Sequence, residues 1–357
     1  MVRKKILIYG AGPFGSLFTE RLIEAGHDVS LLARGKRLEE LREYGVVTEN
    51  SSTGEQTVTH ARIVESLEAN DYYDLVIIPM RKNQAIEILP VLAANKNVPT
   101  FLFMMNNAEG PQRLMDSLGS DRVMIGFPLP GGDRKGHVMR MLPVHEQKKW
   151  TMPVGEPDGS VTERTRQVAD ILGSMRGYNI QIRKDMDDWL KCHAAFVAPA
   201  FPPAIFAAGN NLNRYGNTRD ARVLTIRGIR EALRALRAAD VKMTPPAVVK
   251  MLEWLPEPLL VYYLKKIIKL EAIQVAFGHL EAAPDEMKHI TDEFFELVRA
   301  GGAPTPVLDD LYKYYSQEAS PLPEGSKDLP LNWKGVWWTA AGAAVLLSMF
   351  RKCSCKD

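Results

Sequence analysis

One local pattern constrains this chain more than any other. A short apolar run, Lys5-Ile6-Leu7-Ile8-Tyr9, leads directly into Gly10-Ala11-Gly12-Pro13-Phe14-Gly15. A helical stretch from Ser16 to Ala25 follows, Gly26 closes it, and a second apolar run covers Asp28 to Ala33. Strand, glycine turn, helix and strand in that order predict a βαβ unit, and the glycines fit G-x-G-x-x-G in the context that gives the motif meaning. Gly10 permits a tight turn, Gly12 lets backbone approach a pyrophosphate, and Gly15 lets the helix pack close to the strand. The helix N-terminus, with Ala11, Pro13 and Phe14 completing the loop, then offers unpaired N–H groups to phosphate oxygens. Gly10, Ala11, Gly12, Pro13, Phe14 and Gly15 are therefore the expected dinucleotide-binding loop.

The end of the second strand distinguishes the cofactors. An NAD site places an acid there for the ribose hydroxyls. This chain reads Leu32-Ala33-Arg34-Gly35-Lys36-Arg37, with no acid. Arg34 suits a 2′-phosphate, assisted by Lys36 or Arg37, because a guanidinium makes charge-assisted, forked hydrogen bonds to phosphate. NADPH is the expected cofactor.

Further apolar runs at Asp74–Ile78, Thr100–Met104 and Arg122–Gly126 alternate with helical segments and read as buried parallel strands. The pattern changes near residue 185. From Asp187 onward helical patterns dominate, including Ala221 to Ala239, and Asp285 to Ala300 with Met287, Ile290, Phe294, Leu297 and Val298 on one stripe. The expected fold is an α/β Rossmann-type doubly wound N-terminal domain followed by a mostly α-helical C-terminal domain. The expected boundaries are 1–184 for the cofactor domain, 185–318 for a helical domain, and 319–357 for a proline-bearing linker and apolar tail.

Composition removes several classes of function. Lys and Arg total 45 against 43 Asp and Glu, a net charge of +2 that gives no footprint for nucleic acid. Three cysteines, Cys192, Cys353 and Cys355, make no disulfide framework and fit a reducing, cytoplasmic setting. The N-terminus lacks the apolar core of a signal peptide. No H-x₃-H, H-E-x-x-H or G-x-S-x-G pattern occurs. Cys192 lies between Lys191 and His193, and it reads as a buried helical cysteine rather than a nucleophile.

With these residues in view, the chain resembles the ketopantoate reductase family (2-dehydropantoate 2-reductases) over about residues 4–315. The likeness rests on Leu31-Leu32-Ala33-Arg34-Gly35 and on Trp189-Leu190-Lys191, similar to the family W-x-K. It rests also on Asn106-Asn107-Ala108-Glu109-Gly110, similar to its N-G-x-G turn, and on Pro304-Thr305-Pro306, with Glu286 eighteen residues before Pro304. The resemblance implies NADPH-dependent reduction of a 2-oxo acid to a 2-hydroxy acid. It assigns Lys191 as the general acid, Glu286 as the residue that helps hold substrate and lysine, and Asn107 as the contact to nicotinamide and substrate. Arg81 stands where the family has a lysine beside the cofactor, and it is followed by Lys82-Asn83-Gln84. A homodimer is implied by resemblance only.

The chain departs from the family where substrate is held. The two asparagines expected four and eight residues after the lysine are Ala195 and Pro199, and the serine-rich stretch is replaced by Phe277-Gly278-His279-Leu280. His193 and His279 are candidate replacements, each weighed against an ordinary structural histidine. An opine-type or other carbonyl or imine reductase, and a non-catalytic NADP-binding protein, stand as alternatives to a 2-oxo acid reductase.

The tail, 335–350, is sixteen residues without a charge, with tryptophans at one end and Arg351 and Lys352 at the other. At ~1.5 Å per residue it reaches ~24 Å, short of a ~30 Å hydrocarbon core. Membrane attachment through this tail and packing on the helical domain or on a partner subunit are both open readings. Leu259 to Leu270, with Lys265, Lys266 and Lys269, reads as a core helix.

Overall fold

Alternate residues of the first apolar run enter opposite faces of a sheet. In the computed structural model, which describes residues 2–270, 273–275, 283–316 and 318–334, Ile6 and Ile8 join one buried cluster and Leu7 and Tyr9 the other. The same division holds for Leu75 and Ile77 against Val76 and Ile78, and for Leu102 and Met104 against Phe101 and Phe103. Both faces are covered, which is why these strands are continuous apolar runs and not alternating ones.

The strands are β1 (Lys5–Tyr9), β2 (Asp28–Leu32), β3 (Val46–Asn50), β4 (Gln56–Thr59), β5 (Arg62–Val64) and β6 (Leu75–Ile78). Then come β7 (Phe101–Met104), β8 (Val123–Gly126), β9 (Gly132–Lys135), β10 (Val138–Met141), β11 (Trp150–Gly155) and β12 (Tyr178–Ile182). The main sheet has eight strands in the order β12-β11-β8-β7-β6-β1-β2-β5. It is parallel except where β11 meets β8. Register pairs Ile6 with Val29 on one side of β1 and with Leu75 on the other. The chain moves outward from β1 in both directions, so the switch point lies between β1 and β6, where doubly wound sheets hold ligands beyond the carboxyl ends of the strands. A second sheet, β4-β3-β10-β9, has no counterpart among the strands expected from sequence. Its strands are short and several are exposed, so they lack the apolar runs that marked the main sheet.

Three breaks divide the chain into two units, between Ala194 and Ala195, between Ile273 and Gln274, and between Leu297 and Val298. The first unit therefore contains most of the helix Pro284–Arg299, which sequence alone groups with the helical half. The single expected boundary at 184/185 gives way to this arrangement because that helix buries Met287, Ile290 and Phe294 and sends its carboxylates to the turn after β7.

The second unit is helical, as expected. Its longest helix, Arg219–Ala238, buries Val223, Ile226, Leu233 and Leu236. Gly228 lies where a β-carbon would come within 2.8 Å of Ala200 Cβ and 3.1 Å of Leu311 Cδ1, so its small size permits close packing. Glu231 is buried and accepts Leu308 N at 2.8 Å. The segment 320–330, expected as a linker, is irregular but fastened to this helix. Asp220 accepts Asp328 N at 2.8 Å, and Arg227 donates to Pro330 O at 2.6 Å. The core helix expected over Leu259–Leu270 is the helix Glu257–Ile267, which buries Leu260, Val261 and Leu264. The tail 335–350, Cys353, Cys355 and His279 lie outside the described residues. Among the described residues one helical stretch, Met186–Ala207, is long and apolar enough to cross a membrane, and 67% of its apolar window is buried in protein.

Candidate active site

The glycine loop leaves β1 as the sequence predicts. Gly10 has φ +122, a conformation that glycine adopts without strain. A β-carbon on Gly15 would sit 1.8 Å from Gly10 O, so only glycine lets the helix Pro13–Glu24 start this close to the strand. At Gly12 the same construction meets nothing within 4 Å. The loop is closed toward the sheet and open at Gly12, the shape a pyrophosphate cradle requires. Pro13 stands at the first helical position, where its fixed φ is preorganised and its missing N–H breaks no helical bond.

The three basic residues after β2 separate in space. Arg34 and Lys36 are exposed. Burial pushes the Tyr9 hydroxyl pKa up, and the positive charge of Arg34 partly offsets that. Arg37, an expected helper for the 2′-phosphate, is instead buried. Its Nε donates to Ala11 O at 3.1 Å and its guanidinium to Ser16 Oγ at 3.3 Å, which ties the second basic helix to the glycine loop. Arg37 braces the loop, with four of its N–H groups directed to Ala11 O, Ser16 Oγ, Glu40 and His137 O.

A second cluster forms beyond β6 and β7. The β6 exit adjoins the glycine loop, since a β-carbon on Gly10 would meet Met80 Cγ at 2.9 Å. Two residues later Lys82 turns inward and is completely buried. Its Nζ donates to Asn107 Oδ1 at 2.7 Å and lies 2.9 Å from Glu109 Oε1 and 3.3 Å from Glu293 Oε1. Arg81 turns the other way. It caps the helix Lys82–Glu87 and pairs with the exposed Asp285 at 3.4 Å. Sequence placed the cation at Arg81, whereas the structure buries the neighbouring lysine.

The turn 106–110 gathers the other expected residues. Asn107 is buried, and its Oδ1 accepts Gly110 N at 3.1 Å as well as Lys82. Its Nδ2 is buried without a partner among the described residues. Such a donor, enclosed and unsatisfied, marks a place for an incoming acceptor. Glu286 is buried and accepts Asn106 Nδ2 at 3.5 Å. Gly110 has φ +94, and a β-carbon there would lie 3.4 Å from Lys191 Nζ and 3.3 Å from Asp187 Oδ1. Lys191 thus packs against the end of the same turn, with its Nζ donating to Asp187 Oδ2 at 2.6 Å from one helical turn away. Asn107, Glu286 and Lys191, far apart in sequence, meet at one turn.

Glu293, His289 and Glu109 were not among the residues expected from sequence. Glu293 accepts Ala108 N at 3.2 Å and Glu109 N at 3.4 Å, holding the turn in place. Burial alone would raise its pKa, but pairing with His289 and the charge of Lys82 hold it below the ordinary carboxylate value. His289 lies 3.1 Å from Glu293 Oε1, and this pairing raises its own pKa. A signal was available: Glu286 and Glu293 stand seven residues apart, on one face of a helix whose stripe is otherwise apolar.

His193 takes an aromatic role. Its ring stacks on Trp189 with centroids 5.1 Å apart and meets Phe127 at 4.2 Å. Desolvation among these rings lowers its pKa to about 4, although part of the residue still reaches solvent. The neutral folded state therefore loses stability relative to the unfolded chain as pH falls from about 6.5 toward 4. His193→Phe is expected to gain about 1 kcal/mol over the parent at pH 5, with no gain at pH 8, by urea unfolding. An equal gain at both pH values would assign the effect to packing. Cys192 is buried, and Ala195 and Pro199 are buried beyond it.

Comparison with known proteins agrees with this architecture. Residues 6–145 match the model of the ketopantoate reductase PanE/ApbA family. A Bacillus subtilis protein described as an uncharacterized oxidoreductase, YkpB, is 29% identical over 196 residues, 52% of this chain and 60% of that protein's length. D-mandelate dehydrogenase, solved with NADH and anilino(oxo)acetate, superposes with TM-score 0.71 at 16% identity over 88% of this chain and 97% of that one. A putative ketopantoate reductase from Ralstonia solanacearum MolK2 superposes with TM-score 0.69 at 16% identity, over 88% and 98% of the two chains. At such identities the superpositions speak for the fold alone, while the family match covers the glycine loop, Lys82 and the 106–110 turn. Residues 6–145 of this chain are thus similar to the ketopantoate reductase PanE/ApbA domain, on a fold shared with solved ketopantoate reductases.

Proposed function

We propose that this protein is an NADPH-dependent reductase that converts the carbonyl of a 2-oxo acid, ketopantoate or a related compound, into a hydroxyl, with Lys191 as general acid. The observation that carries this reading is the convergence of Asn107, Glu286 and Lys191 on one turn, next to the strand whose exit adjoins the glycine loop.

The residues fit a dinucleotide. The loop is open at Gly12, Arg34 projects without an acid beside it, and Asn107 Nδ2 awaits an acceptor. Bound NADPH would supply the hydride. The chain itself must manage the charge that appears when a carbonyl carbon accepts hydride, because its oxygen becomes an alkoxide. An ammonium within hydrogen-bond reach stabilises that charge and gives up a proton to form the alcohol. Lys191 uses one N–H on Asp187, which leaves two for such an oxygen. Asp187 fixes the ammonium, and bare backbone at Gly110 lets it approach the turn. Lys82 holds Asn107 Oδ1, which leaves the Asn107 amide N–H group to orient a ligand carbonyl.

The test is NADPH oxidation by the purified chain with ketopantoate and a panel of 2-oxo acids. Consumption with at least one member is expected. Tight NADPH binding with no consumption on any member would remove the catalytic reading. Arg34→Ala is expected to weaken NADPH binding roughly 10- to 100-fold and leave NADH binding unchanged, by fluorescence titration. Equal losses for both nucleotides would remove the 2′-phosphate assignment.

A further inference from the structure

We propose that Glu109 makes this site select a 2-oxo acid whose side chain ends in a positively charged group over one that ends in a second carboxylate. This rests on the reductase reading above and names its substrate class.

Lys82 is the starting point. An ammonium has three N–H bonds and no more. Its nitrogen already has three oxygens within 3.3 Å, from Asn107, Glu109 and Glu293. A buried cation at the exit of a central strand would be the natural anchor for a carboxylate, and here it already hydrogen-bonds Asn107 and has two of the chain's own carboxylates at ion-pair distance. The chain's own carboxylates then offset its charge. One ammonium faces two carboxylates, and His289 contributes its positive charge on the far side of Glu293.

Exposure decides which group a ligand meets. The Lys82 side chain is 0% accessible and that of Glu293 5%, whereas Glu109 retains 27%. Glu109 is thus the more accessible of the two carboxylates that face Lys82, while His289, 34% accessible, lies on the far side of Glu293. Asn107 Nδ2, buried and unpartnered, lies on the same turn and independently marks the place as a ligand site. A ligand held by Asn107 therefore sits beside a partly exposed carboxylate. A like charge placed there is repelled, and a guanidinium or ammonium is attracted.

The experiment uses three 2-oxo acids of similar length: 5-guanidino-2-oxopentanoate, 4-methyl-2-oxopentanoate and 2-oxoglutarate. Calorimetry on the NADP⁺-loaded protein gives affinities without turnover, and NADPH oxidation gives kcat/KM. The expected order is guanidinium, then methyl, then carboxylate, with at least about tenfold between the extremes. Glu109→Gln is expected to bring the extremes within about threefold by improving 2-oxoglutarate and weakening the guanidino acid. Its NADPH affinity and thermal unfolding serve as the check that it folds. Equal affinity for the three acids in the parent protein, a preference for 2-oxoglutarate, or an unchanged order in Glu109→Gln overturns the assignment. If none of the three binds while NADPH is consumed with another carbonyl, the assignment fails and the reductase reading stands. If the expected binding order appears but no carbonyl is reduced, the assignment holds and the catalytic reading fails.

Discussion

Lys191→Ala is expected to lower kcat for the best oxo acid by about 10²- to 10⁴-fold while NADPH affinity stays within about twofold. The argument follows from where the ammonium sits. Lys191 Nζ lies against Gly110 at the end of the Asn107 turn and makes one hydrogen bond, to Asp187. It is bound neither to the glycine loop nor to Arg34, so cofactor binding does not require it. The charge it stabilises exists only once the carbonyl has accepted hydride, so its loss falls on kcat rather than on ground-state binding. Lys191→Arg is a useful control. It keeps the positive charge but is a far poorer proton donor, so it should leave substrate affinity unchanged without restoring rate. A Lys191→Ala enzyme that retains a tenth or more of the parental kcat would return Lys191 to the role of an Asp187 partner.

The second large effect is on stability. Lys82→Met is expected to cost about 3–5 kcal/mol, because it removes the buried ammonium that faces the buried Glu293 and the partly exposed Glu109. In a domain of this size that corresponds to a fall in Tm of roughly 6–20 °C. The loss should be partly recovered in Lys82→Met combined with Glu293→Gln, since the second change removes a charge left without its ammonium. Coupling of about 1 kcal/mol or more in this double-mutant cycle is expected by chemical unfolding. Additive losses would show that Lys82 and Glu293 act independently.

The pH dependence of the parent carries the same signature. Glu293 is held below the ordinary 4.5, so its contribution is present above that value and is lost as pH falls through its folded-state pKa. His289 is raised above 6.5, so its contribution is complete below that value and is lost as pH rises through its folded-state pKa. The pair stabilises most between those two ordinary values.

Legibility in the sequence followed chemistry that is local along the chain. The glycine loop could be read because one turn needs Gly10 at positive φ, open space at Gly12 and contact distance at Gly15. The main strands could be read because burial on both faces leaves unbroken apolar runs. The resemblance also directed attention to Asn107, Lys191 and Glu286, which the fold gathers at one turn. The small sheet of β3, β4, β9 and β10 escaped notice because short, half-exposed strands carry polar residues that do not repeat.

The remaining choices were tertiary. Sequence gave no reason to prefer Lys82 over Arg81, since both follow β6 and both are cations. Helix entry points one side chain inward and the other toward Asp285. Arg37 reads in sequence as a helper for a 2′-phosphate, whereas the fold turns it to Ala11 O and Ser16 Oγ. Glu293 looked like one of many helical acids, and it became the clamp of the 106–110 turn because its helix returns to the first unit. The βαβ frame, the glycine loop and the lack of an acid after β2 are legible in the chain alone, because each depends on residues adjacent in it. Which cation is buried and which carboxylates surround it follow from the tertiary structure, because they depend on residues 25 to 211 positions apart meeting at a single ammonium.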